Sequence, residues 1–187
     1  MKSLITILLF LICTISYSQT TLDTLIFKRV NEYRKSLNVN ELKWDETLQK
    51  AAAHHSDYLL DVNLKTLKHI QKTDMRAADQ YKTELISGHE ENTESTSIEN
   101  YSFVQRAKIY GVIRENVVYF LGDMEIINAD VSIVDAWKRS PSHNETLTHP
   151  YMKYCGIYTH VFIIKDVGKE FGMDMCNVYI VSTMTFK

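Results

Sequence analysis

The sequence predicts an α+β fold, with helices and a small antiparallel sheet arranged as a layered α-β-α structure. Three observations carry that expectation. Apolar residues recur at spacings of three and four over 22–33, 48–59 and 131–137, which is the period of helices with one buried face. Two runs near the end, 155–164 and 178–186, are rich in β-branched and aromatic residues and are separated by a polar, glycine-containing stretch, the pattern of two antiparallel strands. The order is helices first and sheet last, with no internal repeat and no Pro/Gly-rich linker, which excludes a βαβ array and a division into two domains.

Each element has its own signal. Leu22, Leu25, Ile26, Val30 and Tyr33 share one face over 21–36, while Lys28, Arg29, Glu32 and Arg34 lie on others. Asp45 is a good N-cap with Glu46 in the first turn, and Leu48, Ala51, Ala52, His55, Tyr58 and Leu59 form the buried stripe of a second helix. Leu42 and Trp44 precede that cap as apolar anchors. Residues 62–99 show no clear pattern, and connections of that length in compact domains are usually functional or disordered. A third helix is expected over 102–110, stopped by Gly111. Val117 to Phe120 form a short apolar run of the buried-strand or extended type, and a fourth helix capped by Asn128 or Asp130 places Val131, Val134 and Trp137 on one face until Pro141 ends it.

The first eighteen residues read as an address. Met1-Lys2 gives a positive start, Leu4 to Ile15 an apolar run, and Ser16-Tyr17-Ser18 the small residues of a cleavage site, which together make the three-part pattern of a secretory signal peptide. The run is shorter than the roughly 20 residues a transmembrane helix needs. Ile12 stands before Cys13 where a lipoprotein signal wants a small residue. We therefore expect residues 1–18 to be removed and 19–187 to form one exported domain, extracellular or periplasmic, with no integral membrane segment. Loss of Lys2 takes the formal charge from −2 to about −3. That balance lacks the diffuse basic field of non-specific nucleic-acid binding, so no nucleic-acid partner is expected.

Common local signatures are missing. His89-Glu90 opens like a zinc-protease helix, but no His follows at the required spacing, and there is no phosphate loop, dinucleotide fingerprint or nucleophile elbow. Two cysteines, Cys155 and Cys176, remain after cleavage. In a hairpin around 165–172, Cys155 faces a residue in the low to mid 180s, which leaves Cys176 too far along the strand for the roughly 7 Å a disulfide spans. Two free buried thiols are expected.

Five segments in order resemble the CAP superfamily, also called SCP-like, which comprises the cysteine-rich secretory proteins, antigen five and plant pathogenesis-related proteins. Val30-Asn31-Glu32-Tyr33-Arg34 and Leu42 to Ala52 resemble its first two helices. Glu115-Asn116-Val117 resembles its Gly-Glu-Asn-aliphatic motif, with Arg114 in place of Gly. Trp137 followed by Ser140-Pro141-Ser142-His143 resembles the Trp…Ser-Pro-Gly-His block of bacterial members, and Cys155-Gly156-Ile157-Tyr158 the glycine-containing strand after it.

The resemblance implies a three-layer α-β-α sandwich and a cleft in which Glu115 and His143 meet a first histidine, here His89; His149, close behind the His143 block in the chain, is a further candidate for the rim. It also implies a divalent metal held by His89, Glu115 and His143, zinc before calcium or magnesium. The second glutamate of eukaryotic members falls at Ser140, which removes the fourth ligand. Two imidazoles and a carboxylate suit a divalent metal with open positions for water, but buried polar side chains also form purely structural hydrogen-bonded networks. Both readings stand. Glu90, Glu91 and Glu94 offer hard oxygen donors without the spacing of a calcium loop. The function implied is a monomeric, non-enzymatic binding module for a small apolar or cell-envelope ligand. A metal-dependent extracellular hydrolase and a protein-interaction domain acting through 62–99 are the alternatives.

Overall fold

In the computed structural model of the protein, the described residues are 21–72, 85, 103–125, 128–166 and 175–187. The expected signal peptide, His89 and the acidic run 90–99 lie outside them. Helix α1, Thr21–Ser36, buries Ile26 and Val30 of the expected face together with Asn31, while Leu25 of that face is exposed; Arg34, expected on another face, is buried as well, because the carbonyls of Asn40, Leu147 and Met152 accept from its guanidinium. Asn38, at φ 58°, then turns the chain back; asparagine tolerates the left-handed conformation better than most residues. Asn31 clasps the returning segment in both directions. Its Nδ2 donates to the Leu42 carbonyl at 3.0 Å, and its Oδ1 accepts from the Leu42 amide at 2.8 Å. Leu42 is thereby buried and Trp44 packs edge-on against Phe27, as the apolar-anchor reading expects.

The two-residue strand β1, Lys43–Trp44, precedes helix α2, Glu46–Lys72. Asp45 caps α2 as expected, its Oδ1 accepting from the amides of Thr47 at 2.7 Å and Leu48 at 3.0 Å. The helix continues through 62–72, beyond the expected boundary. Asn63, Leu67 and Ile70, at i, i+4 and i+7, are buried, while Lys65 and Lys68 face solvent. The lysines concealed an amphipathic pattern that persists beneath them.

Helix α3, Phe103–Tyr110, ends at Gly111, whose φ of 71° suits glycine and whose amide donates to Ala107 at 3.0 Å. Strand β2, Arg114–Glu125, extends well beyond the four residues expected. Helix α4, Ala129–Arg139, has Asn128 at its N-cap, and its first-turn Asp130 pairs with Arg29 of α1. Pro141 does more than end α4. It opens a further helix, α5, Pro141–Thr148, at the first position, where a missing amide hydrogen costs nothing. Strands β3, Tyr154–Asp166, and β4, Met175–Phe186, complete the set.

The sheet order is β1-β3-β4-β2. β1 runs parallel to β3, and the β3–β4 and β4–β2 pairs are antiparallel. The expected hairpin is present, with Cys155 opposite Phe186. The strands are not all C-terminal, because β2 arrives in mid-chain and takes the edge beside β4.

β4 shows how one sequence builds two cores. Its even residues Val178, Ile180, Met184 and Phe186 face Ile26, Val30, Ile133, Val134 and Trp137 of α1 and α4. Its odd residues Tyr179 and Val181 join Leu59, Leu67 and Ile70 of α2, with Val117 of β2. This is the alternation of a strand covered on both faces, and it yields the expected α-β-α sandwich. The α2 face also carries polar ties. Ser56 Oγ donates to the Tyr158 carbonyl at 3.0 Å, and Thr185 Oγ1 donates to the Leu48 carbonyl at 2.8 Å.

Cys155 is buried and free. Cys176 stands opposite Asp166, ten positions along β4 from the partner of Cys155, or roughly 33 Å. That separation excludes a bridge between the two.

Candidate functional site

Glu115 enters the site through the alternation of β2. It lies on the face that carries Val117 and Tyr119, the face α2 covers, and its carboxylate is 8% exposed. A carboxylate this buried needs partners, and α3 supplies one. Arg106 Nε lies 3.1 Å from Glu115 Oε2, and its Nη2 lies 2.8 Å from Oε1. Two parallel charge-assisted bonds of this kind fix the guanidinium plane as well as its charge. Arg106 is itself 1% exposed, because the α3 stripe of Phe103, Arg106, Ala107 and Tyr110 packs inward. From α2, His55 is fully buried and brings its Nε2 to 3.9 Å from Glu115 Oε1.

The surroundings extend the polar cluster. His54 Nδ1 and the Tyr110 hydroxyl are 2.9 Å apart, with their rings edge to face. Burial lowers the pKa of His54 from its ordinary value; Asp57 opposes that shift and Arg106 adds to it. On the other flank of α2, Asp57 Oδ1 contacts His160 Nε2 of β3, and the His160 ring meets Tyr158 edge-on at 5.0 Å. A band of imidazoles, tyrosines and two carboxylates thus crosses α2 from α3 to β3.

His143 lies on α5, in the first turn. Its carbonyl accepts from Asn116 Nδ2 at 3.0 Å, and Arg114 Nη1 pairs with Glu145 Oε1 at 2.8 Å. These two ties bring α5 to the start of β2, at the chain neighbours of Glu115. His149 belongs to another neighbourhood. Its carbonyl accepts from Arg34, fully buried in α1, and its ring tilts against Tyr151. Of the four residues singled out from the sequence, Glu115 faces α2 and His143 starts α5, tied by its backbone carbonyl to Asn116, the chain neighbour of Glu115. His149 sits at the far end of α5, and His89 lies outside the described residues.

Sequence reasoning missed Arg106, the residue whose guanidinium forks onto Glu115. Its signal was a charged side chain on the inward stripe of an otherwise apolar helix face. His55 was read as a core position of α2, which it is, but its proximity to Glu115 depends on tertiary packing.

The donor set fits a divalent cation poorly. Both carboxylate oxygens of Glu115 already face a guanidinium, which is always charged. A divalent ion would need to sit beside that positive charge in a site of low dielectric, where like charges repel strongly. Ser140, at the position of the second acid, serves as the joint between two helices: its amide donates to Ala136 and Trp137, each at 3.3 Å, and its carbonyl starts α5. Among the described residues, no three His, Cys, Asp or Glu side chains converge as a metal-ligand set.

Residues 27–161 match the family described as CAP: Cysteine-rich secretory protein family. Among solved structures, the chain is similar to an outer surface protein from Borrelia burgdorferi, with 19% identity over 90% of this chain and 94% of that one, at a TM-score of 0.47. It is also similar to an extracellular protein containing a SCP domain from Bacillus anthracis str. Ames, with 13% identity over 88% of this chain and 39% of that one, at a TM-score of 0.44. No curated protein matches. The matched span runs from α1 into β3 and takes in Glu115, Trp137, His143 and Gly156: the chain belongs to the cysteine-rich secretory protein (CAP) family.

Proposed function

We propose that this protein is an exported, non-enzymatic binding module that takes a small apolar or cell-envelope ligand at the cleft around Glu115. The single observation that supports the non-enzymatic reading is the Arg106–Glu115 fork. A general base needs a lone pair within hydrogen-bond reach of the proton it removes. Here one lone pair on each carboxylate oxygen is already taken by Arg106, at 2.8 and 3.1 Å, and the neighbouring imidazole of His55 is fully buried. Cys155 supplies no nucleophile, because burial raises its thiol pKa far above the ordinary range. Export is supported by the charged start, apolar run and small-residue cleavage pattern of residues 1–18. Among the described residues no helix is long and apolar enough to cross a membrane.

The test is to purify the exported chain from an envelope extract and analyse its organic-solvent fraction by mass spectrometry. We expect a stoichiometric apolar or envelope-derived molecule and no turnover of a peptide library. Steady peptide hydrolysis that Glu115→Gln abolishes would replace this reading with the hydrolase.

A further inference from the structure

We infer that Arg106 is the resident cation of the Glu115 site, so that an internal ion pair takes the place of the divalent metal implied by the family resemblance. Glu115 and Arg106 are 8% and 1% exposed, and an ionised carboxylate removed from water to that extent requires a nearby positive charge. In a metal site the ion supplies it. In this chain a guanidinium supplies it, through the two-pronged geometry at 2.8 and 3.1 Å that matches a carboxylate edge.

The fold holds the guanidinium in place. Arg106 stands one turn before the end of α3, whose stop at Gly111 leads within three residues into β2 and Glu115. The two partners are thus nine positions apart in the chain, joined by a tight helix-to-strand turn that holds them in register. Tyr110, on the same inward face of α3, contacts His54 of α2 and fastens the helix from the other side. The pair is a built part of the fold. It also differs in kind from a metal site, because its cation cannot be removed by a chelator or exchanged.

This inference shares the ion pair with the functional proposal but not its outcome, since it holds whether or not the cleft carries an apolar molecule. The experiment uses the mature exported chain, with thermal unfolding followed by circular dichroism. Wild type, Glu115→Gln, Arg106→Met and the double variant are each measured with EDTA and with excess Zn²⁺ or Ca²⁺. Each single variant should lose on the order of 10 °C, because it strands a buried charge. The double variant should recover part of that loss. Any Zn²⁺-induced shift should be the same in wild type and Glu115→Gln. A wild-type shift of several degrees that EDTA reverses and Glu115→Gln abolishes would overturn the inference, and so would additive losses in the double variant. If Arg106→Met does not fold, the comparison of wild type with Glu115→Gln in the presence of Zn²⁺ decides alone.

Discussion

Replacing Gly156 with alanine should loosen the whole α2 layer, and the size of the effect follows from one close approach. A Cβ at position 156 would lie 2.0 Å from the Gln49 amide nitrogen, 2.3 Å from the Leu48 carbonyl carbon and 2.5 Å from the Gln49 Cα. These are backbone atoms of the first turn of α2, so no side chain can swing aside. Ordinary carbon contacts lie at about 3.5–4.0 Å, so the helix start would need to retreat by roughly 1.5 Å. That retreat strains the Asp45 amide bond to the Cys155 carbonyl at 2.8 Å and the Thr185 bond to the Leu48 carbonyl at 2.8 Å. Overpacking usually costs about 1–3 kcal/mol, and a clash of backbone with backbone belongs at or above the top of that range. At about 2–4 °C per kcal/mol for a chain of this size, Gly156→Ala should lower Tm by roughly 6–12 °C. Gly122 is the control. Its φ of 147° disfavours alanine, but nothing lies within 4 Å of the added carbon, so Gly122→Ala reports backbone strain alone. Melting curves of both variants give the answer. A Gly156→Ala protein that melts with wild type would refute the close approach of α2 to β3.

Three further outcomes follow from titratable groups. Burial lowers the His54 pKa, so the unfolded chain binds the proton more readily; stability should fall as pH drops through the ordinary histidine range near 6.5, and His54→Gln should flatten that part of the Tm–pH curve. Tyr179 is pushed up to about 12, chiefly by burial, so its contribution is complete below pH 10 and is lost as pH rises from about 10 to 12. Tyr179→Phe should remove that alkaline slope, at the cost of the 3.0 Å bond from Asn63. Burial raises the Cys155 thiol pKa, so alkylation of the folded protein followed by peptide mass mapping should leave Cys155 unmodified, and urea should expose it; modification under native conditions would contradict its burial.

The fold was legible wherever local pattern and tertiary burial agreed. The Asp45 cap, the stripe of α1 and the alternation of β3 and β4 each carry their own period, so their elements stand close to where the sequence places them. Elements whose signal is carried by context were harder to read. Lys65 and Lys68 hid the second half of α2 because a solvent face rich in lysine looks the same on a helix or a loop. Pro141 reads equally as the end of one helix or the start of the next, and only the joint at Ser140 decides. At the site, Glu115 and His143 were legible as parts of ordered motifs, and the structure ties their neighbourhoods together through Asn116 and Arg114. Arg106 was not legible. Its importance arises from meeting Glu115 across a helix-to-strand turn, and no spacing rule encodes that meeting.

The most direct measurement is a crystal structure of the mature chain grown with Zn²⁺, with diffraction recorded on both sides of the zinc absorption edge. Arg106 Nη2 and Glu115 Oε1 should lie in hydrogen-bond contact near 2.8 Å, with no anomalous peak at the carboxylate. An anomalous peak at about 2.0–2.2 Å from a Glu115 oxygen, with the guanidinium displaced, would contradict the internal ion pair.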